Sequence, residues 1–258
     1  MMNLELKIAK KAAWEAGEII CSYYKSDYEI RDKSYHNPVT TADHASDNHL
    51  KKVLLSAFPD IGWLSEETVD SPERLSKERV WIVDPLDGTK EFIEGVPQFV
   101  VSIALVVNHE PYIGVLHNPV TKETFSACRG EGALLDGESI RCTDKENPSE
   151  MVILNSRTES RHGLWDPFRD QFKELKPFGS VAYKLGLTAA GKSDIFASLK
   201  PKNEWDICAG HCIINEAGGI LIDLLGCEVT YNNENTLISP GLIAGYSKAV
   251  NKVLEILT

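Results

Sequence analysis

Two aspartates, Asp84 and Asp87, stand in the segment Trp81–Gly88 where they could bind a cation. The apolar residues before Asp84 predict a strand that delivers this carboxylate to its C-terminal end. Pro85 interrupts the strand and favours a turn, and Gly88 allows a ligand to approach the backbone closely. Carboxylates without His or Cys beside them favour a hard ion such as Mg²⁺. A simple Asx-turn explains this segment equally well when it is taken alone.

Two further acidic segments favour the metal site over the turn. Glu66 and Glu67 follow the apolar run 61–64, which again predicts acids at the end of a strand. Asp206 stands at the start of a predicted helix. Each segment has a simpler explanation, since Asp206 could be an N-cap and the glutamates could be solvated. Three acidic segments at strand ends and a helix start together predict one metal centre.

The elements that must position these acids form two patterns along the chain. The first half predicts helices over about 4–24 and 41–58, joined by a loop or short hairpin, and packed on a largely antiparallel sheet with strands near 80–83, 100–107, 112–116 and 124–127. The second half alternates strands near 152–154, 195–199 and 220–224 with helices near 164–171, 181–190 and 208–217. This pattern predicts an α+β metal-binding half over residues 1–143, fused to a smaller α/β half over 144–258.

Composition restricts the partners. The chain has 258 residues and a net charge of −11, which argues against a nucleic-acid polymer as partner because phosphate binding needs clustered Lys and Arg. An acidic protein still binds a small phosphorylated metabolite if bound cations reverse the local field. No apolar run is long enough to span a membrane, and the amphipathic N-terminus does not resemble a secretory signal. A cytoplasmic protein without a membrane partner is expected.

The cysteines favour the same location. The six cysteines form no CxxC pair, although Cys208, His211 and Cys212 are close enough in sequence to suggest a metal site. Their Ala-, Gly- and Ile-rich surroundings favour packing in a buried helix instead. Reduced thiols in a cytoplasmic protein follow from this interpretation.

The sequence from Asp84 to Thr89, together with Trp205-Asp206 far along the chain, resembles the signature of a known superfamily. This is the lithium-sensitive, Mg²⁺-dependent phosphatases, which include inositol monophosphatase, fructose-1,6-bisphosphatase and the 3′(2′),5′-bisphosphate nucleotidases. The resemblance covers nearly the whole chain and implies an αβαβα layered sandwich. It also implies a phosphomonoester hydrolase that uses two or three Mg²⁺ ions. Members of this superfamily are often dimers, so the resemblance also implies a homodimer.

The resemblance also assigns roles to residues by motif. It implies that Asp84 bridges two metals, one activating the attacking water and the other stabilising the leaving oxygen. Thr89, paired with Asp43, would orient and deprotonate that water, with Glu66 as a further catalytic residue. Gly88 and Thr89 would bind the phosphate where a short helix begins. The implied metal ligands are Glu66, Asp84, Asp87 and Asp206, with the backbone carbonyl of Leu86.

The substrate is predicted from three matches to the nucleotidase branch. These are the segment from Thr89 to Ile93, Lys184 seven residues before Gly191, and the loop 201–206. A lysine near the substrate suits a second phosphate, and Ser180 and Lys33 complete the candidate substrate contacts. Lys184 and Lys33 could equally be surface lysines. The preferred substrate is 3′-phosphoadenosine 5′-phosphate, hydrolysed to AMP and phosphate.

Several features keep other functions open. The acid that inositol phosphatases use for ring hydroxyls is missing from residues 198–200. The nucleotidase branch, however, often has serines where Val181 and Ala182 stand here, and an arginine where Ser198 stands. Inositol monophosphatase, or a broad sugar-phosphate phosphatase, is therefore the alternative. A non-catalytic, RNA-polymerase-associated regulator on the same fold is a third hypothesis, and the complete set of acids argues against it.

Overall fold

The protein is described by a computed structural model that covers residues 3–26, 28–34 and 37–258, without the side chains of residues 32–34 and 37. The helices are α1 Leu4–Tyr23, α2 Thr41–Ala57, α3 Thr89–Ile93, α4 Arg157–Arg161, α5 Val181–Ala189, α6 Glu204–Glu216 and α7 Ser247–Leu257. The strands are β1 Ile30–Ser34, β2 Asn37–Thr40, β3 Gly62–Ser65, β4 Arg79–Asp87, β5 Val100–Val107, β6 Glu110–Asn118, β7 Glu123–Cys128, β8 Gly132–Leu135, β9 Glu138–Ser139, β10 Val152–Ser156, β11 Glu174–Phe178, β12 Ile195–Ser198, β13 Lys202–Asn203, β14 Ile220–Asp223, β15 Leu237–Ile238 and β16 Leu242–Gly245.

Two sheets organise the chain. Strands β3 to β9 form a seven-stranded sheet in sequence order, and only β3 runs parallel to its neighbour, β4. The second sheet has the order β11-β10-β12-β16-β14 and mixes parallel with antiparallel pairs. The predicted antiparallel character of the first half and the hairpin before α2 are therefore both confirmed.

Three apolar cores separate the layers. Helices α1 and α2 cover one face of the seven-stranded sheet, around Trp81, Phe99 and Leu50. Helices α5 and α6 fill the space between the two sheets, with Leu185 and Ile207 completely buried. Helix α7 covers the outer face of the five-stranded sheet. Each sheet thus hides both faces against helices, which confirms the predicted αβαβα sandwich.

The predicted elements need several corrections. The helix expected near 164–171 is a 3₁₀ helix over Asp166–Gln171, and such helices stay short because their hydrogen-bond geometry is poorer than that of an α-helix. The sequence pattern also missed two helices, α4 and α7, and the strands β8, β9, β11, β13, β15 and β16. Strand β4 does not stop at Pro85 but continues to Asp87 through a register shift against β5, which is how a strand accommodates an extra residue.

The cysteines near the middle of α6 are packing residues. Cys208 and Cys212 are buried in the core between the sheets, which confirms the packing interpretation. His211 is also buried and lies 2.9 Å from the hydroxyl of Tyr231 through its Nδ1 atom. Within the described residues, none of the helices combines the length and the apolar character that a membrane span requires. The division of the chain at residues 143 and 144 stays a prediction.

Candidate active site

Three acids from different parts of the chain converge at one end of the seven-stranded sheet. Carboxylate oxygens of Glu66, Asp84 and Asp206 all lie within 4.8 Å of one another. Because β3 and β4 are parallel, their carboxyl ends meet at the same edge, and the backbone N–H of Glu66 donates to the carbonyl of Val83 at 3.2 Å. Asp206 reaches this edge from the first turn of α6. The structure thus brings together the three acidic segments that the sequence singled out.

Burial makes this cluster electrostatically costly without a cation. Burial first, and then the negative charge of Glu66, raises the pKa of Asp84 well above its ordinary value. Burial and the neighbouring charge of Asp87 do the same to the pKa of Asp206. Asp206 is not the N-cap that the sequence suggested. Asn203 caps α6 and donates from its backbone N–H to Asp206 Oδ2 at 3.0 Å, because Asp206 occupies the third helical position of a capping box.

Asp87 connects the cluster to the second half of the chain. Its Oδ2 accepts hydrogen bonds from the hydroxyl of Ser180 and from the backbone N–H of Ala182 at 2.6 Å. The carboxylate therefore sits at the N-terminus of α5, where a negative charge is favourable. Burial raises the pKa of Asp87 to about 6, although both hydrogen bonds oppose the shift. Ser180, a candidate substrate contact, is thus occupied in holding Asp87.

Thr89 and Asp43 form the predicted pair. Thr89 Oγ1 lies 3.0 Å from Asp43 Oδ1 and 3.2 Å from the carbonyl oxygen of Leu86. The other carboxylate oxygen of Asp43 accepts from the backbone N–H and the hydroxyl of Thr40, which caps α2. Burial raises the pKa of Asp43. One hydroxyl thus stands between a buried carboxylate and the start of α3.

The backbone at Gly88 requires glycine. Its φ angle is 103°, in the left-handed region. A Cβ atom added there would lie 2.8 Å from the carbonyl oxygen of Gln98. The turn that joins Asp87 to α3 therefore depends on a residue without a side chain, as the sequence predicted.

A cavity of about 460 Å³ is lined by both acidic and basic residues. Glu66, Asp84 and Asp206 all line it. Its basic residues, called the basic wall below, are Lys90, Arg157, Lys184, Lys200 and Lys202. Of these, Arg157 is paired with Glu91 at 2.8 Å and with Glu94 at 2.6 Å. The negative and positive groups of this cavity suit a ligand that carries anionic groups beside bound cations.

Lys184 is not the surface residue that one interpretation of the sequence suggested. Its side chain is only 2% exposed, and Nζ donates to the carbonyl of Phe178 at 2.9 Å. Burial lowers the pKa of Lys184 to about 8, against the attraction of Asp87. Its role in substrate binding stays a prediction. The side chain of Lys33, another predicted contact, lies outside the described part of the chain.

Glu159 is a cavity residue that the sequence did not reveal. It is buried and accepts from Ser198 Oγ at 2.7 Å, Trp165 Nε1 at 2.9 Å and the backbone N–H of Leu199 at 3.2 Å. Lys202 Nζ lies 3.8 Å from the same carboxylate. An acid therefore does stand beside residues 198–200, but its oxygens hold the chain that carries Lys200 and Lys202. No local pattern announces this role, because it depends on contacts about 40 residues away.

Comparison with known proteins gives the family. Residues 2–255 match the model of the inositol monophosphatase family. The chain belongs to the inositol monophosphatase family. It is therefore a metal-dependent phosphatase, as the resemblance implied.

Three relatives illustrate the range of this family. The chain is 35% identical to inositol monophosphatase 2 of Solanum lycopersicum over 86% of its own length and 88% of that protein. It is 31% identical to Nus factor SuhB of Pasteurella multocida, with 98% and 96% covered. It is also 31% identical to the 3′(2′),5′-bisphosphate nucleotidase CysQ of Aggregatibacter actinomycetemcomitans, with 92% and 90% covered.

Solved structures show the same architecture. An inositol monophosphatase of Thermotoga maritima superimposes with a TM-score of 0.87 at 28% identity, covering 98% of this chain and 96% of that one. CysQ of Bacteroides thetaiotaomicron superimposes with a TM-score of 0.78 at 33% identity, covering 94% and 97%. The layered sandwich is thus the family fold.

Proposed function

We propose that this phosphatase hydrolyses a small bisphosphorylated nucleotide, 3′-phosphoadenosine 5′-phosphate, to AMP and phosphate with Mg²⁺. The observation that carries the proposal is one cavity that is lined both by an acidic cluster and by several basic side chains. The acids suit the cations that bind the reacting phosphate, and the basic wall suits a second phosphate. The relatives named as CysQ support the same branch.

The acidic residues fit Mg²⁺ by their chemistry. Glu66, Asp84 and Asp206 offer only oxygen atoms, which hard divalent cations prefer. Their mutual repulsion, which contributes to the raised pKa of Asp84 and of Asp206, is what a bound cation would relieve. Asp87 and the carbonyl of Leu86 complete the proposed ligand set. Bound Mg²⁺ would supply positive charge that acidifies water and stabilises negative charge on the phosphate.

The chain's own groups supply the proton transfer. The hydroxyl of Thr89 lies 3.0 Å from Asp43 Oδ1, so it can take a proton from water while passing its own proton to that carboxylate. Thr40 fixes the carboxylate through two hydrogen bonds. Glu66 would act as a further catalytic residue from the acidic cluster. The backbone N–H groups of Gly88 and Thr89 would bind the phosphate.

The basic wall would select the substrate. Lys184 is fixed by its hydrogen bond to Phe178, and Lys202 lies beside Glu159. Two ammonium groups in one cavity repel each other, and an anionic group bound there would reduce the repulsion. A substrate with one phosphate can bind only the cations that the acidic cluster holds. A substrate with two phosphates can bind these cations and the basic wall together.

The first experiment compares phosphate release from 3′-phosphoadenosine 5′-phosphate and from inositol 1-phosphate, each with saturating Mg²⁺. The ratio of the two kcat/KM values defines specificity. We expect the nucleotide to be preferred by at least about tenfold, since one charged hydrogen bond is worth roughly 1.5–3 kcal/mol. A preference for inositol 1-phosphate would overturn the nucleotide assignment.

Lys184→Met tests the basic wall directly. The substitution should lower kcat/KM for the bisphosphate about tenfold or more. It should change kcat/KM much less for a substrate with a single phosphate, such as inositol 1-phosphate. Lys252→Met, a change on the exposed side of α7, serves as the control. An equal loss for both substrates would show that Lys184 does not recognise the second phosphate.

Two other functions predict different results in the phosphate-release assay. Inositol monophosphatase is supported by the 35% identity to the tomato enzyme, and it predicts faster release from inositol 1-phosphate. A regulatory role is supported by the relative named Nus factor SuhB. That role predicts a stable protein complex that forms without Mg²⁺, together with no phosphate release from either substrate.

A further inference from the structure

A buried polar network begins at Arg74, which lies in a short 3₁₀ helix over Pro72–Ser76. Arg74 is only 2% exposed, and its Nε and Nη2 atoms donate to the two carboxylate oxygens of Asp70 at 2.7 and 2.8 Å. Its Nη1 donates to Asn232 Oδ1 at 2.8 Å, and Asn232 Nδ2 donates back to the Arg74 carbonyl at 3.1 Å. Two segments 158 residues apart are thus joined by reciprocal hydrogen bonds.

The same network continues to Glu204, the first residue of α6. Glu204 is completely buried and accepts from the backbone N–H of Asn232 at 2.7 Å. It also accepts from the backbone N–H and the side-chain amide of Asn233, at 2.9 and 2.8 Å. Arg74 reaches the carbonyl of Asn233 as well, at 3.0 Å. The loop 232–233 therefore lies between Arg74 and Glu204 and is bonded to both.

The network joins two segments of the chain that each carry an acid of the cluster. Glu66 lies eight residues before Arg74, and Asp206 lies two residues after Glu204. The two ends of the network thus belong to segments that carry acids of the cluster. Carboxylates held within 4.8 Å repel one another, so something must keep their segments together before a cation arrives. A hydrogen-bonded network in which Arg74, Asn232 and Glu204 are buried supplies that rigidity.

We propose that Arg74, Asn232 and Glu204 are positioning residues that set the affinity of the acidic cluster for divalent cations. The inference rests on the metal site proposed above. Arg74 is suited to the task because its planar group bonds Asp70 and Asn232 in fixed directions. Residues that orient metal ligands typically contribute about 10–100-fold to metal affinity.

The test measures metal binding without substrate. Mn²⁺ is titrated into metal-free protein, and the free ion is followed by its EPR signal. Arg74→Met should raise the Kd for Mn²⁺ about 10–100-fold, and so should Asn232→Ala, which leaves the net charge unchanged. Arg74→Lys should raise this Kd less. The Mg²⁺ concentration for half-maximal phosphate release should rise by a similar factor, so that added Mg²⁺ restores activity.

Arg129→Met is the matched control. Arg129 also forms an ion pair, at 2.9 Å with Glu110, but this pair joins the start of β6 to the end of β7, and neither strand carries an acid of the cluster. We expect the control to leave the Kd unchanged. Circular dichroism identifies variants that do not fold, and Arg74→Lys and Asn232→Ala then carry the test.

The outcomes are distinct. A Kd within about twofold of the wild type in folded Asn232→Ala and Arg74→Lys would overturn the positioning role, as would an equal change in Arg129→Met. If the wild-type protein binds neither Mn²⁺ nor Mg²⁺, the proposed metal site itself fails, and this inference fails with it.

Discussion

At the scale of the residue, Asp84 carries a carboxylate whose charged form is costly where it stands. Burial is the largest cause of its raised pKa, and the negative charges of Glu66, Asp87 and Asp206 raise the pKa further. Buried like charges weaken a folded protein unless a cation or proton compensates them. The only partner of its own that the described hydrogen bonds give it is the backbone N–H of Leu86, at 2.9 Å. Such an arrangement makes sense where function requires a cation.

Asp84→Asn separates function from stability. The amide keeps the shape of the side chain but removes one charge, so we expect phosphate release to fall by at least about 100-fold. The metal-free variant should melt at the same or a higher temperature, because repulsion with the neighbouring acids is reduced. Phosphate assays and calorimetry check both results, with the exposed Asp60→Asn as control. Full activity in Asp84→Asn would contradict the metal mechanism.

At the scale of the element, α6 is positioned by close contact with the seven-stranded sheet. A Cβ atom added to Gly114 of β6 would lie 2.3 Å from the carbonyl oxygen of Ala209 and 3.0 Å from Cys212 Cβ. Only glycine allows the helix to approach β6 so closely. Because Asp206 stands in the first turn of this helix, the distance between helix and sheet affects the acidic cluster.

Gly114→Ala should therefore disturb both stability and metal binding. An extra methyl group in a closely packed core typically costs about 1–3 kcal/mol, and here the clash is with backbone that cannot turn away. Chemical denaturation should show this loss, and Mn²⁺ titration should show a higher Kd as α6 moves. Unchanged stability would mean that the helix shifts without strain, and the close contact would then have no structural role.

The acids could be predicted from sequence because their signals are local. An apolar run before Asp84 indicates a strand end, and parallel strands bring such ends together at one edge. The motif around Thr89 likewise lies within a few residues. Glu159 and Arg74 could not be predicted in this way. Their burial depends on Ser198 and Asn232, which are 39 and 158 residues distant, and α4 itself has only five residues, too few for a periodic pattern.

At the scale of the whole molecule, α6 passes between two sheets, so polar groups on it have little access to water. His211 is 7% exposed and lies beside the ring of Tyr231, with ring centroids 5.7 Å apart. Burial lowers the pKa of His211 to about 4, from an ordinary value of 6.5. The layered fold therefore keeps this histidine neutral at pH values where an unfolded chain would protonate it.

This difference makes the stability of the whole protein depend on pH. Between pH 6.5 and about 4 the unfolded state binds a proton at His211 that the folded state does not, so stability is complete above this range and falls as the pH falls through it. The full effect is on the order of 3 kcal/mol. In His211→Gln this contribution disappears, so the stability difference between wild type and variant should shrink by that amount from pH 7 to pH 4. Urea unfolding at several pH values measures it, with the exposed His162→Gln as control. A constant difference between wild type and His211→Gln would show that His211 can take up a proton without unfolding.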